Sequence, residues 1–247
     1  MAAMIRTAGT LLILLLAASA GQAQIPEKFE NLQYFPKDIP RDTLIQVMRG
    51  FSFTLGVRCQ YCHAGGDGVS FQGVVFSSDD KPTKRKARYM LRMVDSINLK
   101  LLALVPERRS PPVTVACVTC HRGLPVPATL EQVLNRTIAS NGIDSAVAQY
   151  KRLRGGMESG RFDFTEWSIN EMARRLAESG KTVEAIRMLE LNQEYYAQSA
   201  DIDFFIAEME LNRGEKDKAI ARYRATLQKN PNYQPARAKL QQLGVTP

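Results

Sequence analysis

The sequence predicts a mainly α-helical protein made of two parts. Apolar residues recur at helical spacing along most of the chain, and the pentapeptide Cys-x-x-Cys-His occurs twice, each time after a predicted helix. In the C-terminal half a pattern of small and apolar residues repeats every 34 residues. These observations predict a module built around the two pentapeptides, followed by helical repeats, with little strand anywhere.

Composition sets the limits of that prediction. The 247 residues are 45% apolar and 23% charged, which is ordinary globular composition and excludes disordered and collagen-like classes. Residues 24–128 are rich in Gly, Pro and loop signals, whereas long helical patterns fill residues 129–247. We therefore place a domain boundary at 128.

The first 23 residues read as a secretory signal peptide. Arg6 precedes the apolar run 11–18, and Ala18-Ser19-Ala20 or Gly21-Gln22-Ala23 fits a cleavage site. The run is short for a membrane span of about 20 residues, although an uncleaved anchor that keeps the protein on the membrane is the alternative. We expect a periplasmic protein.

The net charge of +8 is uneven, because residues 24–128 carry +6 and residues 129–247 carry +1. A basic surface suits acidic partners or nucleic acid. Export argues against nucleic acid, so we predict protein partners.

Each pentapeptide follows a predicted helix. The first begins near Pro40, has one apolar face and ends at Gly56. The second opens at 79–82, where an Asp caps and Pro82 follows. The predicted apolar faces are Leu44, Val47, Met48, Phe51 and Leu55 in the first helix, and Ala87, Met90, Val94, Ile97 and Leu101 in the second.

The 34-residue pattern resembles the tetratricopeptide repeat (TPR) over residues 166–231. The matching pairs are Ala173 and Ala207, Gly180 and Gly214, Ala185 and Ala219, Ile186 and Ile220, and Leu189 and Tyr223. Two repeats are few for such an array, so we expect segments 129–138 and 143–153 to add packing surface and 236–243 to cap it. An unrelated pair of helical hairpins is the alternative.

The two pentapeptides are typical of c-type haem attachment. Two thiols at this spacing reach the vinyl groups at one haem edge, and the adjacent His lies under the iron. The predicted covalent ligands are Cys59, Cys62, Cys117 and Cys120, and the proximal ligands are His63 and His121; together they use every Cys and His of the chain. We therefore predict two covalently attached haem c groups.

Other uses of these residues fit less well. A four-Cys zinc site would need pairs about 15–20 residues apart, but 54 residues separate Cys62 from Cys117. A thioredoxin-like pair needs no His after each motif. Disulfides suit an exported chain, but a two-residue spacer makes a poor staple.

Methionine is the candidate for the sixth iron ligand, because no third His exists. It raises the reduction potential relative to His. Residues 24–128 hold three Met. We predict Met48 for the first haem and Met90 for the second, with Met93 as the alternative to Met90; a Met on a helical face is otherwise a core residue.

These residues resemble the cytochrome c subunit of photosynthetic reaction centres. The matching pieces are Met48-Arg49, LGVRCQYCH (55–63), Lys84, ARYMLRM (87–93), Ile97-Asn98 and CVTCHRG (117–123), within about 30–127. The resemblance implies a helix with the axial Met, a turn, then the attachment motif, which supports Met48 and Met90 or Met93. The family usually carries four haems, so this sequence resembles half of that module fused to helical repeats.

Cations beside the motifs are candidate contacts for haem propionates. Arg58 and Arg122 flank the two motifs. The basic cluster of residues 84–92 suits propionates or an acidic redox partner, and a solvated helix face is the alternative reading.

The predicted function is electron transfer rather than catalysis. Two irons with both axial positions filled leave no site for a substrate, so we expect a dihaem cytochrome that exchanges electrons with redox proteins or a membrane complex. The helical repeats would dock the haem module onto a larger complex. The alternative is a dihaem oxidoreductase or peroxidase-type enzyme with one open iron.

Overall fold

A computed structural model describes residues 25–156 and 159–246. The predicted signal peptide at 1–23 lies outside the described residues. The chain forms two compact units, one ending at Thr119 and the other beginning at Cys120. This division falls inside the second pentapeptide, ahead of the boundary that composition predicts at 128.

In the described part of the first unit, an irregular segment from residue 25 leads into helix α1 (Arg41–Leu55). Pro40 precedes the helix, and Gly56 ends it in the left-handed conformation (φ 65°), as predicted. A 3-10 turn, Cys59–Tyr61, carries the first motif. Strands β1 (Ala64–Gly65) and β2 (Val74–Val75) then form a short antiparallel hairpin in which Ala64 pairs with Val75.

Helix α2 (Pro82–Ser96) follows, continues as a π-helical stretch (Ile97–Leu101) and closes in a 3-10 turn (Leu102–Leu104). Pro82 occupies the first turn as predicted, but the predicted aspartate cap is wrong. Lys81 is the capping residue and its side chain makes no cap hydrogen bond. Helix α3 (Cys117–His121) consists of the second motif itself and crosses the division between units.

The second unit contains seven helices within its described residues. They are α4 (Leu130–Asn141), α5 (Ile143–Gly155), α6 (Glu166–Glu178), α7 (Thr182–Tyr195), α8 (Ala200–Asn212), α9 (Lys216–Lys229) and α10 (Gln234–Gln242). Thr129 begins α4 with a capping box, since its hydroxyl accepts from Gln132 N while the Gln132 side chain accepts from Thr129 N.

The hairpins α6–α7 and α8–α9 begin and end 34 residues apart. The four alanines of the predicted repeat are fully buried, as are Leu189 and Tyr223. Gly180 and Gly214 both adopt left-handed φ angles, 82° and 79°, at the hairpin turns. The helical periodicity that the sequence predicts is therefore present in the fold.

Two apolar clusters make up the core of the second unit. Helices α4 to α7 supply most of one cluster, with contributions from α8, so segments 129–138 and 143–153 do add packing surface. Ala207, α9 and α10 build the other. The mainly α-helical class is thus confirmed. Across residues 25–156 and 159–246, no helix has the length and apolar character to cross a membrane.

Candidate functional site

One cavity of the first unit, of about 430 Å³, gathers the first motif and its predicted distal ligand. Cys59, Cys62 and His63 line it from the turn after α1, and Met48 lines it from α1. Met48 points into the cavity because the apolar face of α1, with Leu44, Phe51 and Leu55, turns the same way. Four side chains singled out by sequence therefore share one enclosure.

The rest of the cavity wall is largely apolar and comes from four further segments. The chain before α1 contributes residues 25, 26 and 28–35, and the β hairpin contributes Val74 and Val75. The loop between its strands contributes Phe71, and α2 contributes Ala87 and Leu91. A mostly apolar cavity with a few polar groups is the usual form of a cofactor site.

His63 has an unsatisfied nitrogen in this cavity. Its Nδ1 atom is buried without a hydrogen-bond partner among the described residues, and its ring lies 4.9 Å from that of Phe76, centroid to centroid. Burial lowers the pKa of His63, the charge of Lys84 lowers it further, and a backbone hydrogen bond with Phe76 opposes these effects. The net shift favours the neutral imidazole, the form that binds metals. Burial also raises the pKa of the Cys62 thiol.

Hydrogen bonds to the backbone hold the first motif in place. Thr83 Oγ1 donates to the Tyr61 carbonyl, and Lys81 Nζ donates to the Gln60 carbonyl over 2.6 Å. The Gln60 side chain in turn donates to Ser70 O (2.7 Å) in the hairpin loop. Sequence analysis missed Lys81 and Thr83; they flank Pro82, so the start of α2 is also a support for the first motif.

The basic cluster of residues 84–92 is divided between two roles. Lys84 is buried, and its Nζ donates to the carbonyls of Phe76 and Ser78 (both 2.7 Å) and lies 3.3 Å from Asp79 Oδ1. Arg88 Nη1 donates to Asp79 Oδ2 over 2.9 Å. Hydrogen bonding to Arg88 holds the pKa of Asp79 well below its usual range. The ammonium group of Lys84 is therefore fully engaged by partners within the protein, whereas Lys86 and Arg92 are exposed.

The second motif is presented differently. In α3, Cys120 is exposed and His121 half-buried. His121 Nδ1 lies 2.8 Å from the Leu124 carbonyl, which it can meet as a donor in the tautomer that leaves Nε2 without a proton. Arg122 and Gly123 follow at φ 47° and 82°, so the chain turns sharply straight after the His.

Asn98 fixes the chain that leads to the second motif. Its Nδ2 donates to Val115 O (2.8 Å) and its Oδ1 accepts from Val115 N (2.7 Å), two residues before Cys117. From the π-helical stretch after α2, the Asn98 amide thus pairs with both backbone groups of Val115, as a neighbouring strand would. Asn98 belongs to one of the segments that carry the family resemblance, which could have marked it as functional. The sequence pattern alone does not indicate what Asn98 does.

Met90 and Met93 lie outside the first cavity and are 44% and 46% exposed. Of the predicted apolar face of α2, Ala87 lines the first cavity, whereas Met90 does not and is partly exposed. The exposure of the two Met is similar and does not choose between them.

The predicted propionate contacts have polar partners of their own. Arg58 lines the first cavity, and its Nη1 donates to Gly68 O over 3.3 Å. Arg122 is exposed and its Nη1 reaches Arg161 O at 3.5 Å. Among the described residues, no group of three or more His, Cys, Asp or Glu side chains could hold a metal ion by itself.

Tyr34 is a further residue that sequence analysis missed. Its ring lines the first cavity and packs edge-on against Phe35 at 5.0 Å. Its hydroxyl donates to Asp95 Oδ2 over 2.7 Å. The hydrogen bond to Asp95 raises the pKa of Tyr34, burial adds to this, and the charges of Asp95 and Cys117 contribute further. No motif marks this position.

Two thiols, an imidazole and a thioether line one largely apolar cavity, an arrangement typical of c-type cytochromes. The family model described as photosynthetic reaction centre cytochrome C subunit matches residues 17–185, more than half of the chain. The chain belongs to this family. The match extends beyond the 30–127 segment predicted from motifs and includes α4 to α6.

Two curated relatives agree with this placement. The chain is 38% identical over 74 residues to cytochrome c-554 of Chloroflexus aurantiacus, covering 30% of this chain and 16% of the relative. It is 31% identical over 113 residues to the photosynthetic reaction center cytochrome c subunit of Thermochromatium tepidum, covering 45% and 24%. The chain thus matches less than a quarter of each relative's length. Membership in a cytochrome c family implies covalently bound haem c.

Proposed function

We propose that this protein is an exported dihaem c-type cytochrome that carries electrons between periplasmic or membrane-bound redox partners. The observation that carries the proposal is the cavity of about 430 Å³ in which Met48, Cys59, Cys62 and His63 meet. Family membership supports it, since the matching proteins are cytochromes.

At the first site, Cys59 and Cys62 would hold the haem through thioethers, and His63 and Met48 would be its axial ligands. The bound haem supplies a one-electron couple at its iron. The protein's part is to keep the His63 ring neutral through burial and to surround the site with apolar side chains that exclude water. A Met ligand and a dry site both act on the reduction potential.

At the second site, Cys117 and Cys120 would be the attachment points and His121 the proximal ligand. The Leu124 carbonyl, 2.8 Å from His121 Nδ1, orients the ring for binding through Nε2. Met90 or Met93 would complete this site. Both Met are partly exposed on α2, so the second haem would cover them.

A spectroscopic redox titration of the exported protein tests the proposal. We expect low-spin haem at both sites, Met-to-iron charge transfer in the oxidised form and two one-electron steps. A high-spin fraction that binds cyanide or peroxide readily would contradict the carrier function and support an enzyme with an open iron. Absence of haem absorbance would contradict the whole proposal.

We also propose that the second unit is a TPR-like docking module. The 34-residue offset of its hairpins and the burial of the repeat alanines support this. Trp167 on α6 is 67% exposed, which makes it a candidate anchor for a protein partner.

The docking proposal is tested with Trp167→Ala in the full chain. Membranes of the source organism should exchange electrons with this variant more slowly, while its haem spectrum and unfolding temperature stay unchanged. Val183→Ala on α7, where Val183 is 58% exposed, is the control. Equal rates for both variants and the parent would contradict a docking role for Trp167.

A further inference from the structure

Tyr34 connects the first cavity to helix α2. Its ring is part of the wall of the first cavity, with Cys59 and His63. Its hydroxyl donates to Asp95 Oδ2 on helix α2 over 2.7 Å. Tyr34 thus joins the wall of the first cavity to this part of α2, within the first unit.

The acceptor of the Tyr34 hydroxyl, Asp95, lies on α2 between features of both sites. It follows Leu91, a residue of the cavity wall, by four positions, so the two lie on the same face of the helix. It follows Met93, one of the two candidate ligands of the second haem, by two positions.

The chain that follows Asp95 contacts the approach to the second motif. Asn98 lies three residues further on, and its side chain makes both hydrogen bonds with Val115 (2.7 and 2.8 Å) that hold the approach to Cys117. Asp95 therefore lies in the stretch of α2 that separates the two attachment motifs.

The charge of Asp95 is not neutralised by a neighbouring cation. No Lys, Arg or His in the described parts of the chain forms an ion pair with Asp95, whereas Asp79 in the same unit pairs with Lys84 and Arg88. Asp95 is half-buried and the O–H of Tyr34 holds its Oδ2 at 2.7 Å. An unpaired carboxylate in a partly desolvated position acts over a longer range than a solvated one.

We propose that Asp95, positioned by Tyr34, is an electrostatic tuning residue shared by both haems. The inference rests on the proposed dihaem function. A fixed negative charge stabilises the oxidised iron, which carries one positive charge more than the reduced iron, so the carboxylate lowers both midpoint potentials. One carboxylate between two sites would shift them together.

The test is a redox titration of Asp95→Asn with both haems in place. At a fixed applied potential we expect the reduced-to-oxidised ratio to rise by about three- to tenfold at each haem; tenfold corresponds to about 59 mV for a one-electron couple. Asp95→Glu keeps the charge and should return both midpoints toward the parent values. Tyr34→Phe keeps the charge as well, so its midpoints should stay closer to the parent than those of Asp95→Asn.

Asp80→Asn is the matched control, because Asp80 is exposed and loses the same charge from the same unit. If Asp95→Asn does not accumulate, Asp95→Ser is the second neutral variant. A shift at one haem alone, or shifts no larger than those of Asp80→Asn, would overturn the inference and leave the proposed function intact. A parent protein without two haems would instead overturn the proposed function.

Discussion

The two Cys-x-x-Cys-His motifs have their cysteines and histidine at the same spacing, but the fold surrounds the two motifs differently. The first lies in a cavity whose wall comes from α1, α2, the β hairpin and the chain before α1, and the Nδ1 atom of its His63 is buried. In the second, Cys120 is exposed and the candidate distal ligands are nearly half exposed. Identical local chemistry therefore does not give identical environments.

The difference shows which parts of a haem site are local. The 3-10 turn and the short helix that carry the motifs form from a few residues each. Enclosure of the first site requires long-range contacts, such as those of Asn31 with Ser77 O (2.6 Å) and Gln33 with Asp79 (3.0 Å). We expect the first haem to be less exposed to solvent than the second.

The largest effect should come from removing the cysteines of one motif at a time. Cys59→Ala with Cys62→Ala should halve the haem absorbance that stays with the polypeptide under denaturing conditions, because thioethers survive denaturation. Cys117→Ala with Cys120→Ala should have the same effect. Full retention of haem in either double variant would contradict attachment at that motif.

Replacing single methionines should separate the two sites next. Met48→Ala should lower one of two midpoint potentials and remove part of the Met-to-iron charge-transfer band, since a Met ligand raises the potential. Met90→Ala and Met93→Ala, compared with each other, should show the same change at the other haem in one variant only. An unchanged spectrum for Met48→Ala would contradict its assignment, and changes in neither α2 variant would contradict both candidates there.

Asn98→Ala should weaken the second site selectively. It removes two hydrogen bonds to Val115 and should cost about 1–3 kcal/mol of unfolding free energy. Ser96→Ala, which loses one exposed hydrogen bond to Arg92 O, is the control and should cost less. Denaturant unfolding measures the loss of stability in both variants. Equal losses would contradict a stabilising role for the Asn98–Val115 hydrogen bonds.

Low pH should weaken the ion pairs of Asp79 near the first motif but not the hydrogen bonds of Asn98 near the second motif. Arg88 and its neighbours hold the folded-state pKa of Asp79 below its value of about 3.9 in an unfolded chain. The ion pairs therefore contribute stability that is complete above about pH 4 and is lost as pH falls through the folded-state pKa. The hydrogen bonds between Asn98 and Val115 involve no titrating group, so their contribution to stability does not depend on pH in this range.

Asp79→Asn should remove this acid-sensitive part, so that the stability of the variant falls less steeply than that of the parent below about pH 4. Unfolding by denaturant at a series of pH values measures the slopes. Asp80→Asn is the control, and parallel slopes for Asp79→Asn and the parent would contradict the role of the Asp79 ion pairs.

Much of the fold could be predicted from the sequence because it depends on local patterns. Gly56 ends α1 as predicted, and the 34-residue spacing predicted the hairpins. The role of Asp79 could not be predicted, since a carboxylate before a proline suits a cap equally well. Only the fold shows that the Asp79 carboxylate binds Arg88, nine residues later, instead of capping α2.

The site shows the same division. Met48 shares a cavity with the first motif, as its position on the apolar face of α1 indicated. The sequence predicts one apolar face with Ala87 and Met90, and only the fold shows that Ala87 and Leu91 line the first cavity while Met90 stays partly exposed. Tyr34 and Asp95 are 61 residues apart, and no sequence pattern joins them.

Intact-mass analysis of the exported protein under denaturing conditions tests the central claim most directly. We predict one species, the polypeptide cleaved near residue 23 plus the mass of two haems. A polypeptide with no added mass, or with one haem only, would contradict covalent attachment at both motifs.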